Sequence, residues 1–226
     1  MASRLRPPNT GLRARQFRSV EQGSLQPSAG APKTSIPPSL TARVVENGIL
    51  AAAMKVFAKR GFGATRVEDL LEEAGVARRT FYRYFTSKED VLAAVYELAT
   101  SELLQAVDEA SSVADPLGGA RAGIELYFDF HLENAGLLRV LVEESVRSDS
   151  PLAAHRRRFR ARMLKVFVRA AATRGATPLD GFTYVALVSA LEGVTLELLE
   201  SSASEADVTR AKNAVLALVD RGLVGR

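Results

Sequence analysis

The chain has 226 residues, with 30 Lys and Arg against 26 Asp and Glu, 47% hydrophobic residues, and neither Cys nor Trp. That length buries a core without covalent staples, and the missing Cys excludes a structural disulfide, a Cys-ligated zinc and a thiolate nucleophile, so a reducing, cytoplasmic setting is expected. No apolar run approaches the roughly 18 residues of a membrane span and no apolar h-region follows the N-terminal arginines, so neither a membrane partner nor secretion is expected.

The net charge of +4 is unevenly placed. Residues 1–40 hold Arg4, Arg6, Arg13, Arg15, Arg18 and Lys33 against Glu21 alone, a balance of +5 that leaves −1 for everything after them. Six of the nine prolines fall in the same stretch. Such a composition buries too little apolar surface to offset its ordering entropy, so residues 1–40 read as a disordered basic arm, either an inert extension or an extra phosphate contact.

From Thr41 the apolar residues recur at helical spacing. Val45, Ile49, Ala53, Met54 and Phe57 form one helix that Gly61 and Gly63 end. Thr65-Arg66-Val67-Glu68 has the form of a capping box, and Val67, Leu70, Leu71 and Ala74 behind it predict a short helix ending at Gly75. The segment Arg78 to Phe85 reads as a second short helix, and Ser87-Lys88-Glu89-Asp90 as a second capping box opening a long helix to about Val107.

Two short helices about a tight glycine turn follow the helix-turn-helix plan, in which the second helix enters the DNA major groove. Phe81 and Phe85, four apart, suit a small core, leaving Arg78, Arg79, Thr80, Tyr82 and Arg83 outward. Arginine forks suit guanine or phosphate, threonine takes either, and a tyrosine ring suits a thymine methyl. Lys88, in the first turn of the long helix, is disfavoured by the helix dipole unless an anion such as phosphate joins it.

Residues 49–97 resemble the DNA-binding domain of TetR-family transcriptional regulators. The resemblance rests on Ala53, Phe57, Gly61, Thr65, Ala74-Gly75-Val76, Thr80-Phe81-Tyr82, Tyr84-Phe85 and Ser87-Lys88-Glu89. It implies phosphate or base contacts at Thr65, Arg78, Arg79, Thr80, Tyr82, Tyr84 and Lys88, to which charge and position add Arg66 and Arg83. Three positions depart from the pattern: Ala77 stands where Ser or Thr usually caps the recognition helix, Arg79 where Gly is frequent, and Leu71 where Ala is frequent. The missing cap costs about 1 kcal/mol of local stability.

Beyond residue 96 the reading is physical. Pro116, Pro151 and Pro178 fall where helices are expected to begin. One helix carries Ile124, Tyr127, Phe128 and His131 on one face, a short one runs near Leu137 to Val146, and the next places Phe159, Met163 and Phe167 four apart. The arginines of that helix, Arg156, Arg158, Arg160 and Arg162, together with Lys165, read as a solvated or internally paired face. The segment from Phe182 to Leu199 is apolar nearly all round and needs cover on two sides, and Val208, Ala211, Val215 and Leu218 form a stripe on the final helix. This pair suits half of an intermolecular four-helix bundle, a homodimer through the last two helices whose two-fold axis matches a palindromic double-stranded DNA operator.

The expected architecture is therefore all-α, with about nine helices: a basic arm over 1–40, a helix-turn-helix DNA-binding domain over 41–95, and a ligand-binding and dimerisation domain over 96–226. The family resemblance implies a small-molecule effector in the latter. Leu103, Ile124, Tyr127, Phe128, His131, Met163 and Phe167 are its candidate lining, suited to a lipophilic or aromatic molecule and needing a cavity above about 300 Å³. No cofactor or metal is expected, with two His, no Cys and no chelating carboxylate spacing, and no phosphate loop or nucleophile elbow suggests an enzyme. The expected function is a ligand-released repressor; the alternative is a DNA-binding regulator or architectural protein whose C-terminal part only dimerises.

Overall fold

The computed structural model of the chain describes residues 38–111, 116–172, 180–201 and 203–224. The basic arm lies outside the described residues, except for its last three positions. Among the described residues the fold is nine helices: α1 (Pro38–Arg60), α2 (Val67–Ala74), α3 (Arg78–Phe81), α4 (Lys88–Ser111), α5 (Pro116–Glu133), α6 (Ala135–Val146), α7 (Ala153–Ala172), α8 (Gly181–Glu200) and α9 (Glu205–Val224).

Two glycines set the N-terminal turns. Gly61 has φ 74° and ends α1. Gly75 has φ 63°, and the Gly75 N–H donates to the Glu72 carbonyl while the Val76 N–H donates to that of Leu71, both at 3.2 Å. That pair of bonds is the Schellman stop, which relies on glycine's free access to the left-handed region. Ile49, Ala53 and Phe57 of α1, Leu70 of α2, Phe81, Phe85 and Val91 are buried together. The stripes read from the sequence thus close a small core around the turn.

The first capping box is displaced from its expected place. The N-cap of α2 is Arg66, and Asp69 rather than Glu68 reaches back, accepting from the Arg66 N–H at 2.8 Å. The Thr65 hydroxyl instead donates to the Gly61 carbonyl at 2.7 Å, satisfying an orphan acceptor at the end of α1. The second box is close to expectation: the Asp90 N–H donates to Ser87 Oγ at 3.1 Å, and the Asp90 carboxylate accepts from the Thr86 N–H at 3.0 Å.

The longer helices pack as a bundle behind this head. α5 folds back closely on α4, because Gly119 and Gly123 face Ser111. A Cβ at Gly119 would come within 2.6 Å of the Ser111 carbonyl oxygen, so only glycine permits the approach. α6 packs on α1 as well as on α7 and α8, and a Cβ at Gly136 would sit 3.6 Å from that of Ala58. Pro116 opens α5, and Pro151 lies two residues before α7; Pro178 lies outside the described residues. Asp180 caps α8 by accepting from the Phe182 N–H at 2.8 Å.

α8 corrects one expectation. Gly181–Glu200 is long and apolar enough to cross a membrane, with a mean hydropathy of 1.5. Counting consecutive apolar residues misses it, because Ser189, Glu192 and Thr195 interrupt the run without lowering the average much. Tyr184, Leu187, Val188, Leu191 and Leu198 turn into the bundle, whereas Phe182 is 83% exposed and Val185 is also exposed. On α9, Val215 and Val219 are buried, Val208 and Ala211 partly so, and Leu218 is exposed. The predicted α9 stripe therefore divides between the protein's own core and an outer apolar edge.

Candidate nucleic-acid interface and effector cavity

α3 is a single α-helical turn, and tighter bonds carry it on: the Arg83 N–H donates to Thr80 O at 3.2 Å, that of Tyr84 to Phe81 O at 2.9 Å. Ala77 occupies its N-cap without a side-chain bond, as the sequence leads one to expect. Phe81 and Phe85 anchor the segment inward, their ring centroids 5.9 Å apart. Arg66, Arg78, Arg79, Tyr82 and Arg83 are exposed, with Thr80 and Tyr84 half-buried. Tyr82, 47% exposed, stands edge-on to Phe81, and the Arg83 guanidinium lies 5.9 Å from the Tyr84 ring centroid.

Three of the candidate contacts already have partners within the chain. Arg78 is ion-paired with Glu68 of α2. Backbone and Arg78 hydrogen bonds hold the Glu68 carboxyl below the usual range. Thr65 is 1% exposed, with its hydroxyl committed to Gly61. Lys88 turns its ammonium away from the expected helix-end position, donating to the carbonyls of Phe62 at 3.1 Å and Thr65 at 2.9 Å and lying 4.4 Å from the Phe62 ring centroid. Two acceptors and an aromatic face thus satisfy the cation that the helix dipole disfavours. Of the candidate contacts, Arg66, Arg79 and Arg83 remain exposed cations outside these pairings.

A cavity of about 220 Å³ lies within the bundle, walled by α4 to α8. Of the candidate lining, Leu103, Tyr127 and His131 face it. Ile124, Met163 and Phe167 line a separate small void beside Ser111, and Phe128 is fully buried in the core. Ile124 and Phe128 share a face of α5 with Tyr127, but only one flank of that face meets the cavity. Most of the wall is apolar, with Leu138, Leu141, Val142 and Phe159 among it, and Tyr96, Ser145, Arg156, Arg160, Ser189, Glu192 and Thr195 add more polar groups than the candidate lining includes. The volume also falls below the roughly 300 Å³ at which drug-sized ligand sites begin, so size alone does not support a sensing role.

The charges are concentrated at one place. Glu192 of α8 accepts from Arg156 Nη2 at 2.8 Å and from Arg160 Nη1 at 2.5 Å, and Arg160 also donates to Ser189 Oγ at 2.8 Å. Burial pushes the Glu192 carboxyl up despite both arginines. Burial likewise raises the hydroxyls of Tyr96 and Tyr127 well above the ordinary phenol range, and the Glu192 charge adds to each. His131 is buried, with Nδ1 2.8 Å from the Tyr127 carbonyl, a geometry in which Nδ1–H donates; burial lowers its pKa to about 4. Outside the cavity, Glu97 of α4 accepts from Arg158 at 2.9 Å and pairs with His155 at 2.5 Å, and Arg169 pairs with Asp108. The α7 arginine cluster is therefore largely paired within the chain. Among the described residues no group of three or more His, Cys, Asp or Glu could hold a metal.

Comparison with known proteins adds to this geometry. Residues 49–95 match the family model described as bacterial regulatory proteins, tetR family. The chain is 38% identical over 86 residues to the HTH-type transcriptional regulator EthR of Mycolicibacterium smegmatis, a match covering 37% of this chain and 40% of the relative. It is 29% identical over 107 residues to the transcriptional activator FasR of the same organism, covering 47% and 49%. The matches thus span less than half of these relatives' lengths. Among solved structures, the fatty acid degradation regulator FadR of Bacillus halodurans is similar at TM-score 0.67 and 19% identity, covering 80% of this chain and 97% of that one. Thermus thermophilus FadR, a TetR-family repressor in complex with lauroyl-CoA, is similar at TM-score 0.63 and 20% identity, covering 80% and 96%. At such identities the likeness is one of fold.

Proposed function

Because the chain belongs to the TetR family of transcriptional regulators, we propose that it acts as a homodimeric repressor that binds a palindromic operator and is released by a small molecule in the α4–α8 cavity. In this reading, residues 41–95 form the DNA-binding domain and residues 96–226 the effector and dimerisation domain. Arg66, Arg79, Thr80, Tyr82 and Arg83 meet DNA directly, Arg78 does so on leaving Glu68, and Tyr84 supports them from beside the Arg83 guanidinium. Thr65 and Lys88 act chiefly by holding the turn between α1 and α2, with the remaining N–H of the ammonium left for phosphate. The exposed apolar edge of Phe182, Val185 and Leu218 is the surface a partner subunit would cover.

The observation that carries the effector half of this reading is the double duty of α6. It supplies Leu138, Leu141, Val142, Ser145 and Val146 to the cavity wall, and its N-terminal turn packs on α1 of the DNA-binding head. An occupant that displaces α6 therefore acts on α1 without an intermediary. The small cavity volume favours a second reading, a regulator whose C-terminal part only dimerises.

Mobility-shift titration with the DNA flanking its own gene, alongside sedimentation analysis, tests the DNA and dimer claims. A monomer, or affinity no better than for unrelated DNA, overturns them. A metabolite screen by thermal shift then separates the two readings: a stabilising compound that weakens the DNA complex supports release by ligand, and none supports the constitutive regulator.

A further inference from the structure

The cavity combines a charged cluster with a largely apolar wall. In the cluster two guanidiniums share one carboxylate, a local balance of +1 in a place where the side chains of Arg156, Arg160 and Glu192 are only 28%, 21% and 15% exposed. An uncompensated charge so little hydrated is costly unless a counter-charge joins it. Glu192 engages one N–H of Arg156, and Glu192 with Ser189 engages two of Arg160. Each guanidinium carries five donors in a planar fork, so both retain capacity for a further acceptor. The Tyr96 and Tyr127 hydroxyls border the same space and remain protonated donors at any physiological pH. Leu138, Leu141 and Phe159 supply apolar wall to the same cavity.

We propose that the effector is a compact amphipathic monocarboxylate, its head replacing or joining Glu192 at Arg156 and Arg160 and its apolar body lying against Leu138, Leu141 and Phe159. The proposal rests on the effector reading above and narrows it from lipophilic molecules to monoanionic ones. One negative charge neutralises the charged cluster. A cation would approach two arginines, and a neutral head would leave the excess charge in place. Size sets a second limit: at interior packing density of about 0.74, a 220 Å³ cavity holds about 160 Å³ of van der Waals volume, the size of an eight-carbon acid.

The test is calorimetric titration of the full-length protein with octanoate, octanamide and octylammonium. Octanoate is expected to bind about tenfold or more tightly than the other two, since only it forms charge-assisted bonds to the forks. The two kinds of substitution should then act in opposite directions. Glu192→Gln raises the local balance and should tighten octanoate binding several-fold, whereas Arg156→Gln lowers it and should weaken binding several-fold. Arg160→Gln serves as a second variant in the same direction, and circular dichroism checks that each remains folded. Equal binding of the neutral or cationic compound, or weakening by all three substitutions alike, overturns the monocarboxylate assignment and leaves the effector reading intact. Binding of none of the three compounds overturns the assignment, and an empty metabolite screen as well would overturn the effector reading with it.

Discussion

The ammonium of Lys88 lies 2.9 Å from the carbonyl oxygen of Thr65, so the first residue of α4 holds the turn that launches α2. With the Phe62 carbonyl at 3.1 Å, it ties three segments of the head together. Removing Lys88 leaves two partly buried acceptors without their charged donor, and hydrogen bonds to charged groups are worth about 1.5–3 kcal/mol each. Lys88→Ala should therefore lower unfolding stability by about 3 kcal/mol or more as well as weakening DNA binding regardless of sequence. Urea unfolding measures the first effect; an unchanged midpoint would mean that water replaces the ammonium at both carbonyls.

In the proposed DNA complex, Glu68 competes with DNA for the Arg78 guanidinium. The pair is exposed on both sides, so it contributes little to folding. Glu68→Gln should leave stability nearly unchanged and raise affinity for DNA, by about two- to tenfold, because a carboxylate competing with the phosphates is gone. Arg78→Ala should instead cost about 1–3 kcal/mol on the operator. Fluorescence anisotropy titrations at fixed salt compare the two, and a loss of affinity in Glu68→Gln would show that Glu68 positions Arg78 rather than competing for it.

Tyr82 packs its ring edge-on to Phe81 and is nearly half exposed. Tyr82→Ala should change thermal stability little while costing about 1–3 kcal/mol on the operator and far less on unrelated DNA. Equal loss on both kinds of DNA would assign Tyr82 to the phosphate backbone instead.

These head contacts were legible in the sequence to different degrees. The outward set of α3 follows from the inward pair Phe81 and Phe85, a pattern local to one turn. The roles of Thr65 and Lys88 do not, because moving a cap by one residue, from Thr65 to Arg66, redirects the hydroxyl to α1, and a lysine's reach to carbonyls 23 and 26 residues away is a tertiary fact. The cavity was harder still. Ile124, Tyr127, Phe128 and His131 occupy one helical face, yet Tyr127 and His131 face the cavity, Ile124 a separate void and Phe128 the core. Arg156 and Arg160 fall in the cluster read as solvated or internally paired, and both are paired internally, with Glu192. The available signal was Glu192, a carboxylate in the middle of the apolar stretch of α8, where burial favours a cation nearby.

His131 makes stability depend on pH. Its pKa is about 4 in the fold, against roughly 6.5 in an unfolded chain, so the unfolded state takes up the proton first. The contribution is constant above pH 6.5 and lost as the pH falls from 6.5 towards 4, by about 3 kcal/mol in total. Urea midpoints taken across that window should fall, and the fall should be shallower in His131→Phe. Identical slopes for the two proteins would mean that the ring is reached by solvent before the chain unfolds.

The contact between α6 and α1 sets how a signal can travel in this molecule. Gly136 faces Ala58 with room for a single methyl group and no more, so the two helices meet without slack. A joint of that kind works as a gear rather than a spring: a shift of α6 larger than the clearance either turns α1 with it or disengages the teeth. In the proposed ligand-released switch, sensitivity would thereby rest on the smallness of Gly136 and Ala58.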